Sequence, residues 1–332
     1  MRVLLTGGTG FLGRAVAGAL ASRGHELVLF ARTASRSRLP GTAIDGDVRD
    51  AIALQRAAGG CDALVHSAAL VSIWQRRRRD FDEVNVGGLR NAIAAARDAG
   101  ISRIVYTSSF LALPPRGAAA PIVANDYQRT KVAADRVAEE AVRDGCPLVR
   151  LYPGVVYGPG SMSEGNLVGR LIADHLAGRL PGVVGPERLW SFAFVDDVAR
   201  GHAEALEHGA AGARYALGGE NAPQGRIFEI VSALTGLKPP RRIPFVVAGA
   251  LGLAEEWRAA LLGGRLGHGL GRHLGGPPLI TSGAVEIFRH DWSLDSTDAV
   301  HDLGYTMTPL TDGIRSTLAF LTTAGTTNVT PT

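Results

Sequence analysis

The hydrophobic positions of the first 151 residues fall into two textures. Short runs rich in Val, Leu and Ile occupy residues 2–6, 26–31, 42–46, 63–67, 103–108 and 147–151, and longer segments of helical period fill the gaps. A run that is apolar at consecutive positions suits a strand covered on both faces, and strands alternating with helices predict a parallel, doubly wound sheet of the α/β class. Helical periodicity covers 14–22, where Val16, Ala19 and Leu20 share one face and Gly24 supplies the stop. The longer segments 85–99 and 127–143 carry the same period.

After Tyr152 the texture changes to clusters such as Pro153-Gly154, Gly158-Pro159-Gly160 and Gly263-Gly264 among shorter helices. This predicts a first domain over 1–151 and a smaller, loop-rich C-terminal domain over 152–189 and 218–332. Residues 190–217 are expected to rejoin the first sheet through a strand at 191–195, a helix at 196–207 and a strand at 214–217.

Composition narrows the class without choosing a function. The 332 residues are 46% hydrophobic and 20% charged, enough for a sizeable core, which excludes disorder and mini-protein scaffolds. The 35 Lys and Arg against 31 Asp and Glu leave +4, too little to infer a nucleic-acid partner without a local basic surface. Cys61 and Cys146 each precede an apolar run and read as core thiols of a reducing cytoplasm, not as a disulfide framework. The first five residues run straight into glycines without the apolar region of a secretory signal. The longest apolar stretch, 245–254, is about half of the roughly 20 residues of a membrane helix, so no membrane span is expected.

Chemistry enters at Thr6-Gly7-Gly8-Thr9-Gly10-Phe11-Leu12-Gly13, a glycine turn between the first strand and the first helix. Gly8, Gly10 and Gly13 keep the G-x-G-x-x-G spacing, which suits a tight turn, a backbone able to touch a pyrophosphate and a helix N-terminus aimed at it. That is the dinucleotide site of a Rossmann-type sheet. The residue ending the second strand selects the dinucleotide, since an acid there binds the ribose hydroxyls of NAD. Here it is Arg32, followed by Thr33, Ser35, Arg36 and Arg38, and a guanidinium can fork onto a 2′-phosphate. NADP(H) is therefore favoured over NAD(H), with a solvated basic loop as the other reading. Asp47-Val48 end the third strand where adenine would rest, Asp47 either accepting from the adenine amine or capping a helix.

Tyr127-Gln128-Arg129-Thr130-Lys131 sets a phenol and an ammonium one turn apart on one helix face. A cation lowers a phenol from its usual pKa of about 10, which makes Tyr127 a candidate general acid. Thr107-Ser108-Ser109 brings hydroxyls to the carboxyl edge of a strand, where such sheets bind ligands.

With these signals in one order, the chain resembles the extended short-chain dehydrogenase/reductase family over nearly its whole length. Besides the glycine turn, the likeness is carried by Gly46-Asp47-Val48, His66-Ser67-Ala68-Ala69, Asn85-Val86-Gly87-Gly88, Thr107-Ser108-Ser109, Tyr127 with Lys131, the run from Arg150 to Gly160, and Phe194-Val195-Asp196-Asp197-Val198-Ala199. Leu217-Gly218-Gly219-Glu220-Asn221 and Ala299-Val300-His301-Asp302-Leu303-Gly304-Tyr305 look most like its dihydroflavonol-4-reductase-like branch, beside the NAD-dependent epimerase/dehydratase branch. The resemblance implies that Ser109 polarises the substrate oxygen and Tyr127 gives or takes the proton. Lys131 would hold the nicotinamide ribose and lower the phenol pKa. Gly7, Gly10, Phe11, Leu12 and Gly13 would meet the pyrophosphate, Ala68 and Ala69 would pack along the adenosine and ribose, and Pro153, Gly154 and Val156 would flank the nicotinamide. Asn85 would either support the site or cap a helix. The two long helices would pair two chains into a homodimer, although monomers are common in this branch.

Two departures from the family pattern bear on the substrate. The span from Ser109 to Tyr127 is shorter than usual, which predicts a compact or mobile loop over the pocket, and Phe194 replaces a frequent His, which makes one wall more apolar. Arg76-Arg77-Arg78-Arg79 could meet a sugar diphosphate, a membrane surface or a partner chain, or form a solvated loop. Trp74, Trp190 and Trp257 could line a pocket or belong to the core. The nine histidines, His268 and His273 among them, form no metal-ligand spacing, and neither a G-x-S-x-G elbow nor a Walker A loop occurs.

Three functions stand open, each with a small-molecule partner. The leading one is an NADP(H)-dependent oxidoreductase moving a hydride between nicotinamide and a carbonyl or alcohol of a bulky, apolar or aromatic substrate. The second is a nucleotide-sugar epimerase or dehydratase with tightly held NAD, which Arg32 opposes. The third is a dinucleotide-sensing protein without catalysis, which an intact Tyr127 and Lys131 oppose.

Overall fold

The computed structural model describes residues 1–262 and 277–323. Among these the strands are, in chain order, β1 (Arg2–Thr6), β2 (Glu26–Ala31), β3 (Thr42–Asp45), β4 (Ala63–His66), β5 (Arg103–Thr107) and β6 (Leu148–Pro153). They continue with β7 (Val155–Tyr157), β8 (Val183–Val184), β9 (Leu189–Phe194), β10 (Arg214–Leu217), β11 (Glu220–Pro223) and β12 (Arg242–Ile243). Seven of them form one parallel sheet in the order β10-β6-β5-β4-β1-β2-β3. The chain winds outward from β1 to β3 and then crosses back to start β4 on the other side of β1. That reversal opens a crevice at the carboxyl ends of β1 and β4. Register keeps those ends level, with Thr6 opposite His66 and His66 opposite Tyr106.

The continuous apolar runs follow from burial on both faces. In β1, Val3 and Leu5 enter a core shared with the helices Phe11–Ser22 and Val195–His208. Leu4 points the other way, into a core shared with Ala51–Ala58, Gly88–Asp98 and Asp126–Arg143. A third core, with Phe110, Tyr157, Trp190, Phe192 and Ile314, lies against the three-stranded sheet β11-β9-β7. Trp190 is thus a core residue, stacked on Phe288 at 4.9 Å, whereas Trp257 is 67% exposed on the helix Phe245–Leu262 and Trp74 is half-buried.

Three expectations need correction. Residues 190–217 do not rejoin the large sheet as a block: β9 pairs with β7 and β11, so both its edges are taken, and only β10 joins the seven strands. The segment at 85–99 is not one α-helix, because a π-helical turn over Asp82–Gly87 precedes the α-helix Gly88–Asp98. The sixth strand starts at Leu148, since Pro147 has no N–H to give to a ladder. Cys61 and Cys146 are both free thiols. Gly263-Gly264, His268 and His273 lie outside the described residues. Among those described, no helix is long and apolar enough to cross a membrane.

Candidate active site

Glycine is needed in the turn after β1 for close packing as well as for conformation. Gly7 has φ +74°, and a Cβ there would stand 2.6 Å from the Ala68 nitrogen. A Cβ on Gly13 would stand 2.1 Å from the Gly7 carbonyl oxygen, so only glycine lets the helix close onto the turn. Gly10 is the N-cap of the helix Phe11–Ser22 and donates its N–H to the Gly7 oxygen at 3.0 Å. No side chain caps this helix and no acid occupies its first turn, which leaves its positive end for an anion. Phe11 is buried, with its ring against Gly160, and Leu12 is half-buried against the first core. These residues fit a dinucleotide pyrophosphate.

Arg32 extends exposed beyond β2 and has no side-chain partner among the described residues. It lies close enough to Asp47 to help hold that carboxyl below its usual range, although Arg49 does most of this through hydrogen bonds at 2.8 and 3.0 Å. Asp47 is therefore engaged by Arg49. Val48 is buried against Gly88. Ala68 and Ala69 follow β4, half-buried, and the Ala68 N–H points to the Thr6 hydroxyl at 3.4 Å.

The helix Asp126–Arg143 presents Tyr127 and Lys131 to the crevice, and its start is set by Asn125, whose side chain accepts the Gln128 N–H at 2.8 Å. Ser109 caps a short 3₁₀ turn, Phe110–Ala112, by accepting the Leu111 N–H at 3.2 Å. Burial pushes the Tyr127 phenol up to about 12, while the nearby Ser109 hydroxyl pulls it back down. Lys131 does not produce the expected lowering. The residue is 4% exposed; its ammonium donates to the Thr107 carbonyl at 3.1 Å and lies over the Tyr106 ring at 5.6 Å, and burial pushes it down to about 8. In the chain by itself, desolvation of the phenol outweighs the opposing effect of Ser109.

Pro153 and Gly154 sit where the chain passes from β6 of the large sheet to β7 of the small one. The Gly154 N–H donates to the Leu217 oxygen at 3.0 Å, and a Cβ there would meet the Ser191 oxygen at 2.6 Å. Val156, in β7, is half-buried and pairs with Ala193. Phe194 closes the nearby wall edge-on to Tyr157 at 5.8 Å.

The sequence reading named Asn85 without its contacts, and it missed Gln128 and the ties made by Arg78 and Arg129. Asn85 caps no helix: from within the π turn it accepts the Leu70 N–H at 2.7 Å and donates to the Leu70 oxygen and to the Thr130 hydroxyl, 3.2 and 2.9 Å away. Gln128, fully buried, donates to the Leu111 oxygen and accepts from the Ala124 N–H, so both ends of the loop between Ser109 and Tyr127 are pinned and the loop is compact. Arg78 forks onto Asp126 and Arg129 onto Asp82, which spends part of the arginine run on tying its own segment to the start of the Tyr127 helix. No local sequence motif marks these contacts, because all but the Ala124–Gln128 bond join residues far apart in the chain.

The sequence profile of the NAD dependent epimerase/dehydratase family matches residues 3–218. The chain belongs to that family. Sterol demethylase protein B of Methylococcus capsulatus is 36% identical over 255 residues, 73% of this chain and 76% of the relative. The putative dihydroflavonol 4-reductase of a Synechocystis species is 30% identical over 319 residues, 90% of this chain and 88% of the relative. The solved structure of gox2253 superposes with a TM-score of 0.80 at 32% identity, over 98% of this chain and 99% of its own. Within the epimerase/dehydratase family this chain is an extended short-chain dehydrogenase/reductase, an NAD(P)-dependent oxidoreductase.

Proposed function

We propose that the protein is an NADP(H)-dependent carbonyl reductase or alcohol dehydrogenase acting on a bulky, apolar or aromatic substrate. The observation that carries this reading is a half-buried phenol, Tyr127, with the Ser109 hydroxyl near it and the buried Lys131 one helical turn along. The surroundings are apolar, since Tyr127 packs against the core of Phe110, Leu111 and Phe194. Two relatives have names that speak of a sterol and a dihydroflavonol, both bulky ring compounds.

Each residue then has a task. Ser109 donates a hydrogen bond to the substrate oxygen, and Tyr127 delivers a proton to that oxygen in reduction or removes it in oxidation. A phenol held near 12 keeps its proton at neutral pH, as a general acid must. Lys131 holds the ribose hydroxyls, the glycine turn and the helix N-terminus bind the pyrophosphate, and Arg32 takes the 2′-phosphate. When bound, the nicotinamide supplies or accepts the hydride.

Titration with NADPH and NADH, followed by oxidation of the bound cofactor with aromatic and sterol-type ketones and aldehydes, tests this reading. NADPH should bind at least about tenfold more tightly than NADH, and Arg32→Ala should remove most of that difference, about 1.4 kcal/mol. NAD that stays bound through purification, with no net oxidation, would overturn the reading and direct attention to nucleotide sugars.

A further inference from the structure

Asp135 lies four residues beyond Lys131 and so on the helix face that carries Tyr127 and Lys131. Its side chain is 17% exposed. One carboxylate oxygen accepts from the Ser108 hydroxyl at 3.1 Å and the other from the Tyr152 hydroxyl at 3.0 Å. Ser108 immediately precedes Ser109 at the end of β5, and Tyr152 immediately precedes Pro153-Gly154 in β6. One carboxylate thus joins the three elements that carry the polarising hydroxyl, the proton donor and the nicotinamide wall, yet the reaction derived above does not use it.

The charges around Lys131 show what that carboxylate does electrostatically. From β5 come the Thr107 carbonyl and the Tyr106 ring, and from the π turn the neutral Asn85, which meets the helix at Thr130. His66 of β4 is held neutral by its own burial and by Lys131. From β6 come Tyr152 and Arg150, the latter 3.9 Å from Asp135. Asp135 is the acid in this set. Burial penalises the ammonium and Asp135 opposes that penalty. Burial also pushes the Asp135 carboxyl up, while Tyr152, Arg150 and Ser108 draw it back toward the ionised form.

We propose that Asp135 is a positioning residue, whose carboxylate ties the ends of β5 and β6 to the Tyr127 helix and supplies the negative charge one helical turn from the buried Lys131 ammonium. The inference rests on the reading of Lys131 as the ribose-holding cation, but its test does not depend on turnover. The chain contains two lysines, Lys131 and the exposed Lys238. Lysine labelled with ¹³C at the ε carbon therefore gives two resonances, which Lys238→Arg assigns. In Asp135→Asn the Lys131 midpoint should fall by about one pH unit while the Lys238 signal titrates unchanged, and Asp135→Glu should restore most of the loss. NADPH binding by Asp135→Asn should weaken about fivefold at pH 8 yet stay within about twofold of the wild type at pH 6.5. An unmoved Lys131 midpoint in the folded variant would overturn the inference. So would a neutral Asp135 carboxyl between pH 6 and 9 in the unmodified chain labelled at aspartate, a measurement that needs no variant to fold. A wild-type chain that binds neither NADPH nor NADH would overturn the functional reading instead, and the lysine titration would still decide the role of Asp135.

Discussion

Tyr127 and Lys131 were legible because four-residue spacing on a helix forces two side chains onto one face whatever the rest of the fold does. Their electrostatics were not legible. A phenol near a cation is expected below its usual pKa, but this phenol is pushed up to about 12, because removal of water acts on it more strongly than Ser109 does, while the Lys131 ammonium is engaged by the Thr107 carbonyl. Tyr127→Phe removes the proton and little else. Turnover should fall about a thousandfold while the NADPH dissociation constant changes by less than about threefold, as read by steady-state kinetics beside fluorescence titration. Unchanged turnover would remove Tyr127 from the proton-transfer role.

At the scale of elements, the strands and the glycine turn announced themselves and the π turn did not. A strand buried on both faces must be apolar at every position, and a helix that closes onto its own preceding turn must have glycine there. A π turn differs from an α turn only in which carbonyl each N–H reaches, and residue composition does not record that choice. What holds this one is Asn85, whose amide satisfies the backbone of Leu70 and the hydroxyl of Thr130. Thr130 in turn bonds the Tyr127 carbonyl at 2.9 Å, so the turn bears on the first turn of the proton donor's helix. Asn85→Ala strands these buried groups and should cost about 3 kcal/mol in urea unfolding, with a larger proportional loss of turnover than of cofactor affinity. A stability change below about 0.5 kcal/mol would show that the turn holds without it.

Across the whole molecule, two buried histidines link folding to pH. His202 has both ring nitrogens engaged, by the Thr107 hydroxyl at 2.9 Å and the Val198 carbonyl at 2.8 Å, and His66 Nδ1 meets the Thr6 hydroxyl at 2.9 Å. Burial pushes His66 down to about 3, with help from Lys131, and His202 down to about 4. The unfolded chain takes up these protons first, near pH 6.5, so the stability they confer is complete above 6.5 and is lost as pH falls toward 4. Between pH 6.5 and 5 each should cost about 1.5 kcal/mol, and His202→Gln should show a correspondingly shallower fall in urea-unfolding free energy over that range; equal slopes in the two chains would refute the linkage. The sequence alone determined the parallel sheet, the dinucleotide turn and the Tyr127–Lys131 pair, because each is written in periodicity or spacing a few residues long. Only the tertiary structure decided that β9 leaves the large sheet, that Asn85 braces a neighbouring loop and the Tyr127 helix, and that Asp135 stands behind Lys131. Those outcomes depend on long-range pairing and on where water is excluded, and local pattern encodes neither.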